Sequence, residues 1–245
     1  MTLHSRLSTV LSWASDWWEL WALIAVGLVG VRLAPHVVAR SERPGSLPPD
    51  AARAVERVGV PPDRVGVLRR DGRVLAYAAG LSAGHGRVFV STGLLRELDA
   101  AGVAAVVRHE YAHLKRRHVP VRVGIPCVYA VAWAVDASLY GRQGLLVGAA
   151  LAVPLAYLSV RVARWTEYDA DADAARRAGP AFREALARLA AGGHVGPATP
   201  AGGRLRRLLA SLSMHPPLGE RLRRLENDGT SAGEGPTPRP MHGDD

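Results

Sequence analysis

Val106-Val107-Arg108-His109-Glu110-Tyr111-Ala112-His113-Leu114-Lys115-Arg116-Arg117-His118 is the stretch whose reading decides this chain. It contains the pattern H-E-x-x-H. If the segment is helical, His109 and His113 lie one turn apart on one face, and both imidazoles can reach one ion. Glu110, one residue past the first histidine, can address a water beside that ion without ligating it. Ala104, Ala105, Val106 and Val107 lead straight into the motif, so the helix reads as largely buried. Buried His and Glu need partners, and a metal supplies them. The plainer alternative is a solvated polar face, which the apolar lead-in disfavours.

The flanks define the helix. Asp99 suits an N-cap for a helix over Ala100–His118. Lys115, Arg116 and Arg117 then sit at the negative end of its dipole. Upstream, Val65–Arg69 and Arg73–Ala78 alternate around Asp71-Gly72, a strong hairpin signal. Arg87–Ser91 reads as a third strand after the turn Gly84-His85-Gly86. The expectation is a small antiparallel sheet preceded by a short helix over Asp50–Val58. Residues 41–50 are a Pro-rich linker.

Further upstream, residues 17–38 form an apolar run of about 22 residues, long enough to cross ~30 Å of hydrocarbon. Trp13, Trp17, Trp18 and Trp21 crowd one end, as an aromatic belt does. A buried amphipathic helix is the alternative, and the flanks do not resemble a cleaved signal peptide. Downstream, Val119–Tyr140 and Gly144–Val160 are two apolar segments joined near Asp136 and Arg142. They read as a membrane helical hairpin, or a re-entrant one, because the second segment is short for a full span. Helices follow over Ala163–Ala178, Ala181–Ala191, Arg204–Ser213 and Pro217–Glu226. The division expected is a tail (1–16), a transmembrane helix (17–39), a first catalytic half (40–120), the apolar hairpin (121–160), a second half (161–227) and a disordered tail (228–245).

The charge pattern agrees with membrane insertion. The 245 residues carry a net charge of +9 and 48% hydrophobic residues. Of 31 Lys and Arg, 15 fall in residues 40–122 and 13 in residues 161–245; only Arg142 lies between 123 and 160. The cations are scattered among carboxylates with no aromatic-interleaved patch, which argues against nucleic acid as partner. Arg40 and Arg43, then Lys115, Arg116, Arg117 and Arg122, then Arg161 and Arg164 all fall on one side if there are three spans. That side is expected to be the cytoplasm of a multi-pass cell-membrane protein. The single Cys127 excludes an internal disulfide and reads as a small buried hydrophobe.

A catalytic zinc site takes three protein ligands and leaves a position open. His118, five residues after His113, falls on a different face of a continuous helix. Glu167 lies on the helix entered right after the apolar hairpin, and Asp171 shares its face. Glu167 can complete the site while Asp171 accepts an N–H from a ligand histidine. A solvated acidic face is the competing reading of this segment, since Asp169 and Asp173 are acidic too.

Four segments resemble one family. Phe89–Leu98 (FVSTGLLREL), Val106–His118 (VVRHEYAHLKRRH), Thr166–Ala175 (TEYDADADAA) and Met214–Leu225 (MHPPLGERLRRL), with an apolar hairpin between the second and third, are similar to HtpX and the CAAX prenyl proteases, family 48 of the metallopeptidases. The resemblance covers roughly residues 50–227. It implies a mainly α fold with a small antiparallel sheet: an integral-membrane, zincin-type protease domain with an inserted apolar hairpin. It implies one Zn²⁺ on His109, His113 and Glu167, Glu110 as catalytic base, and a supporting role for Asp171. It further suggests that His215 approaches the site and stabilises an oxyanion, a role open to Tyr168 as well. Two departures stand out: Leu75 replaces an Asn common in the family before the third strand, and HtpX has two spans ahead of its protease domain where one is read here.

The activity implied is zinc-dependent hydrolysis of peptide bonds in unfolded or membrane-protein substrates, next to a lipid bilayer. A substrate strand is expected to add along Phe89, Val90 and Ser91. Two alternatives are a signalling protease of the antibiotic-sensor type, which calls for a large extracellular sensor not seen here, and a non-catalytic membrane protein with a structural zinc. The sequence leaves the oligomeric state open.

Overall fold

The structure is a computed structural model that describes residues 18–193 and 216–231. The expected helix over Arg204–Ser213, His215 and most of the C-terminal tail lie outside them.

Helix α1 (Trp18–Glu42) leads through an extended segment to α2 (Pro49–Arg57). Strands β1 (Val65–Leu68), β2 (Ala76–Ala79) and β3 (Arg87–Ser91) follow. Then come α3 (Thr92–Glu97), α4 (Ala100–Lys115), α5 (His118–Tyr140), α6 (Arg142–Ala178), α7 (Pro180–Ala191) and α8 (Leu218–Ser231).

The sheet corrects the expectation of an antiparallel hairpin at Asp71-Gly72. Its order is β1-β3-β2. β1 runs parallel to β3, with Val65 opposite Val88, and β2 runs antiparallel to β3, with Tyr77 opposite Phe89. The Asp71 turn does form, but its return strand crosses to the far side of β3. Ser91 and Thr92 hold the crossing segment. Arg70 N donates to Thr92 Oγ1 at 3.0 Å, Leu75 N donates to Ser91 Oγ at 3.1 Å, and Ser91 Oγ donates to Arg73 O at 2.6 Å.

This topology also corrects the expected substrate strand. β3 is the central strand, and Phe89, Val90 and Ser91 are fully buried. A strand paired on both edges has no free N–H or C=O row to offer a peptide. Ser91 instead caps α3, accepting from Leu94 N at 3.1 Å. The edge strands are β1, bridged on its outer side by Gly45 at Val67, and β2, with no further strand on its outer side among the described residues.

Helix α4 is the hub of the core. Asp99 Oδ1 caps it, accepting from Gly102 N at 2.8 Å. Every residue from Gly102 to His109 is buried. Val103, Ala104, Val106 and Val107 pack with Val55, Val88, Val90 and Leu94 into the main core, and Ala105 meets Phe182 and Leu186 of α7. Fully burying each of the valine, leucine and phenylalanine side chains contributes about 1.5–3 kcal/mol.

The helix ends earlier than expected. Arg117 adopts a left-handed conformation (φ 56°), and α5 starts anew at His118. Conversely, α6 is longer than expected. The apolar segment and the acidic segment form one helix of 37 residues, about 55 Å long. Its first half exposes Leu145, Leu146, Leu151, Val153 and Tyr157. Its second half buries Ala163, Thr166, Glu167, Ala170, Asp171 and Ala174 on one face, at helical spacing. α5 and α6 are each long and apolar enough to cross a membrane. Their crossing is close: a Cβ on Gly148 would overlap the Trp133 ring, as expected where small residues let apolar helices approach. α8 continues to Ser231, beyond the expected end at Glu226.

A buried ion pair locks α4 to α6. Arg108 is 1% exposed and donates from Nε to Asp173 Oδ2 at 2.6 Å. Arg116 also reaches Asp173. Removing one member of a buried pair strands the other charge. Asp173→Ala is therefore expected to cost about 3–5 kcal/mol, read as a lower melting temperature of the detergent-purified protein. An unchanged melt would mean that Arg108 finds water instead.

Candidate metal centre

Two helices bring three ligand atoms together. His109 and His113 lie one turn apart on α4, and Glu167 faces them from α6. His109 Nε2 is 3.7 Å from Glu167 Oε2, His113 Nε2 is 3.5 Å from Glu167 Oε1, and the two Nε2 atoms are 3.3 Å apart. All three residues are buried, and one atom from each lies within 4.8 Å of the others. Two imidazole nitrogens facing each other beside a carboxylate leave a gap that suits a cation better than a proton. The donor set, His, His and Glu, is that of catalytic zinc.

Further partners hold these three side chains in place. His109 Nδ1 is 2.9 Å from Asp171 Oδ1, one turn after Glu167 on α6. Asp171 is in turn held by Arg221 of α8, which donates from Nε at 2.7 Å and from Nη2 at 2.5 Å. Glu167 Oε1 accepts from Arg122 Nη2 at 2.6 Å, and Arg122 Nε donates to Thr166 Oγ1 at 2.6 Å. Phe182 of α7 stacks on His109, with ring centroids 5.8 Å apart.

Glu110 points from the same helix toward β2, where its Oε2 accepts from Ala78 N at 3.1 Å. It lines a cleft of 530 Å³ together with His109, His113, Glu167, Arg122, Phe182 and the β2 residues Ala76, Tyr77 and Ala78. The edge of β2 is thus one wall of the cleft, and His109, His113 and Glu167 form its floor.

Among the protein groups alone, the electrostatics follow burial and neighbours. Burial raises the pKa of Glu110, opposed in part by His109. Burial and the adjacent His109 push His113 down to about 3, so it is the neutral imidazole a metal requires. Burial alone would lower His109, but the Asp171 carboxylate outweighs it and the net shift is upward. Burial would raise Asp171, yet Arg221 and His109 hold it below the usual carboxylate range.

The structure therefore brings His109, Glu110, His113, Glu167 and Asp171 into one site. Phe89, Val90 and Ser91 are in the core, and His215 lies outside the described residues. Tyr168 turns away: its hydroxyl donates to Glu220 at 2.5 Å and its ring stacks under Arg224. It sits one residue, about 100°, around the helix from Glu167. Sequence reasoning missed Arg221 and Arg122. For Arg221 a signal existed: it falls in the apolar stripe of Leu218, Leu222 and Leu225, where a charge requires a partner. For Arg122, read with Lys115, Arg116 and Arg117 as part of a basic cluster, the sequence carried no separate signal.

The profile of Peptidase family M48 matches residues 43–228. A protease HtpX homolog from Desulfatibacillum aliphaticivorans is 31% identical over 194 residues, covering 66% of this chain and 62% of that protein. One from Acidiphilium cryptum is 29% identical over 153 residues, covering 56% of this chain and 53% of its own. The chain thus spans between half and two thirds of these relatives. The crystal structure of S. mikatae Ste24p superposes with a TM-score of 0.64 at 19% identity, over 89% of this chain and 61% of that one. It shares the fold. With a matched profile over residues 43–228, most of its length, this chain belongs to peptidase family M48.

Proposed function

We propose that this chain is a membrane-bound zinc metalloendopeptidase, with His109, His113 and Glu167 holding the ion and Glu110 as catalytic base. The observation that carries the reading is the convergence of those three buried ligand atoms on the floor of a cleft whose wall is a free β-edge. A zinc ion held by His109, His113 and Glu167 would supply Lewis acidity toward a water and a peptide carbonyl. Glu110 takes the proton of the attacking water and passes it to the leaving amine. Asp171 keeps the Nδ1 proton of His109 in place and so leaves Nε2 free to ligate. Arg122 and Arg221 balance the carboxylates around the ion.

The substrate strand pairs with β2 rather than β3. The N–H of Ala78 already points out of the sheet, and a peptide adding along Ala76–Ala79 would replace its contact with Glu110 by backbone hydrogen bonds. Pairing of this kind reads backbone more than side chains, which suits unfolded polypeptide or exposed segments of membrane proteins. α5 and α6 would carry the hairpin into the bilayer, with Arg116, Arg117, Arg161 and Arg164 at its cytoplasmic end.

The test is cleavage of an unfolded polypeptide by detergent-purified protein. Cleavage lost with a chelator and restored by one equivalent of zinc is the expected result. Cleavage indifferent to the chelator would overturn the reading.

A further inference from the structure

His118 lies five residues past His113, which on an unbroken helix is about 140° around the barrel and out of reach. The structure breaks the helix between them. Arg117 takes a left-handed conformation (φ 56°), and α5 starts at His118. A non-glycine residue seldom adopts that conformation, and such strain concentrates where geometry serves a site. The turn swings His118 back beneath the metal centre, where it is 2% exposed. Its Nδ1 stands 3.0 Å from His113 Nδ1, and its Nε2 stands 3.0 Å from Asp169 Oδ2. Asp169 is paired in turn with Arg116. The imidazole also packs edge-on against Trp165, with centroids 6.1 Å apart.

We infer that His118 is a positioning residue for the second metal ligand, forming with Asp169 a two-step relay that sets the tautomer of His113. This inference rests on the zinc-site reading above.

The proton count decides the direction of each bond. Asp169, paired with Arg116, is a carboxylate and can only accept, so His118 carries its proton on Nε2. A neutral His118 then presents a bare Nδ1 lone pair. The bond across 3.0 Å requires one proton, which His113 supplies from its Nδ1. His113 is left with a bare Nε2, the atom that faces Glu167 and His109. The reverse arrangement, a proton on His118 Nδ1 donated to His113, would place the remaining His113 proton on Nε2 and block the metal. The relay gives His113 what Asp171 and Arg221 give His109. Each ligand histidine is thus fixed by a charged pair bridging two helices, one directly and one through a second imidazole.

The experiment is zinc affinity of the full detergent-solubilised chain, by competition with a chromophoric chelator. His118→Phe keeps the bulk and the packing on Trp165 but removes the acceptor. It is expected to weaken zinc binding about 10–100-fold. His118→Asn places an amide oxygen near the former Nδ1 and is expected to hold zinc within a few-fold of the wild type, an outcome that loss of packing alone does not produce. Equal affinity in wild type and His118→Phe overturns the relay, as does His118→Asn as weak as His118→Phe. Should His118→Phe fail to fold, nitrogen-15 resonances of the zinc-loaded wild type decide. A bare Nδ1 and a protonated Nε2 on His118 are expected, and a proton on Nδ1 overturns the relay. A wild type that takes up no zinc overturns the metal-site reading and the relay with it.

Discussion

Glu110→Gln is expected to keep one zinc per chain and to lower peptide hydrolysis by about 10²–10⁴-fold. The side chain is not among the three converging ligands, so its change leaves the ion's protein contacts in place. Glutamine preserves the volume, and its amide oxygen can still accept from Ala78 N, the bond now made at 3.1 Å. What it cannot do is take a proton from water. Fold and metal content should therefore be retained while turnover falls. Inductively coupled mass spectrometry and a fluorogenic peptide assay read both quantities on one sample. A variant with more than a tenth of wild-type turnover would remove Glu110 from the chemistry.

Glu167→Ala is expected to lose the metal. The two imidazoles alone make an incomplete site, so zinc affinity should fall by more than the 10–100-fold typical of an outer partner. The change also leaves Arg122 without the carboxylate that accepts from it at 2.6 Å. Lower stability should accompany the lost zinc, since a charge held near a buried partner is left behind. Glu167→Gln separates the two effects. Its amide oxygen can still accept from Arg122, so it should lose zinc with a smaller drop in melting temperature. Full zinc retention in Glu167→Ala would assign the third ligand elsewhere.

Much of the site could be read before the structure. The i, i+4 histidines and the Glu167–Asp171 spacing are local facts of helix geometry, and helices transmit local spacing faithfully. The cap at Asp99 and the strand Arg87–Ser91 are local as well. The strand order was not legible, because Asp71-Gly72 specifies a turn and not the strand that the returning chain will pair with. That choice depends on Ser91 and Thr92, some twenty residues on, which bind the crossing segment. The break at Arg117 was equally hidden. Lys115-Arg116-Arg117 carries no glycine or proline, and the turn there coincides with the ion pairs of Arg116 to Asp169 and Asp173 on α6, which the local sequence does not point to. Charges inside apolar stripes, Arg108 and Arg221, are the readable trace of these long-range pairs, since each demands a carboxylate that the sequence does not point to.

The central claim is that one zinc ion sits on His109, His113 and Glu167 of α4 and α6. X-ray absorption at the zinc edge of the detergent-purified, zinc-loaded chain tests it most directly. The account predicts one zinc per chain with two imidazole nitrogens and carboxylate oxygen around it, and in His113→Ala either loss of the zinc or a single remaining imidazole nitrogen. Sulfur in the first shell, or an unchanged spectrum in His113→Ala, would contradict it.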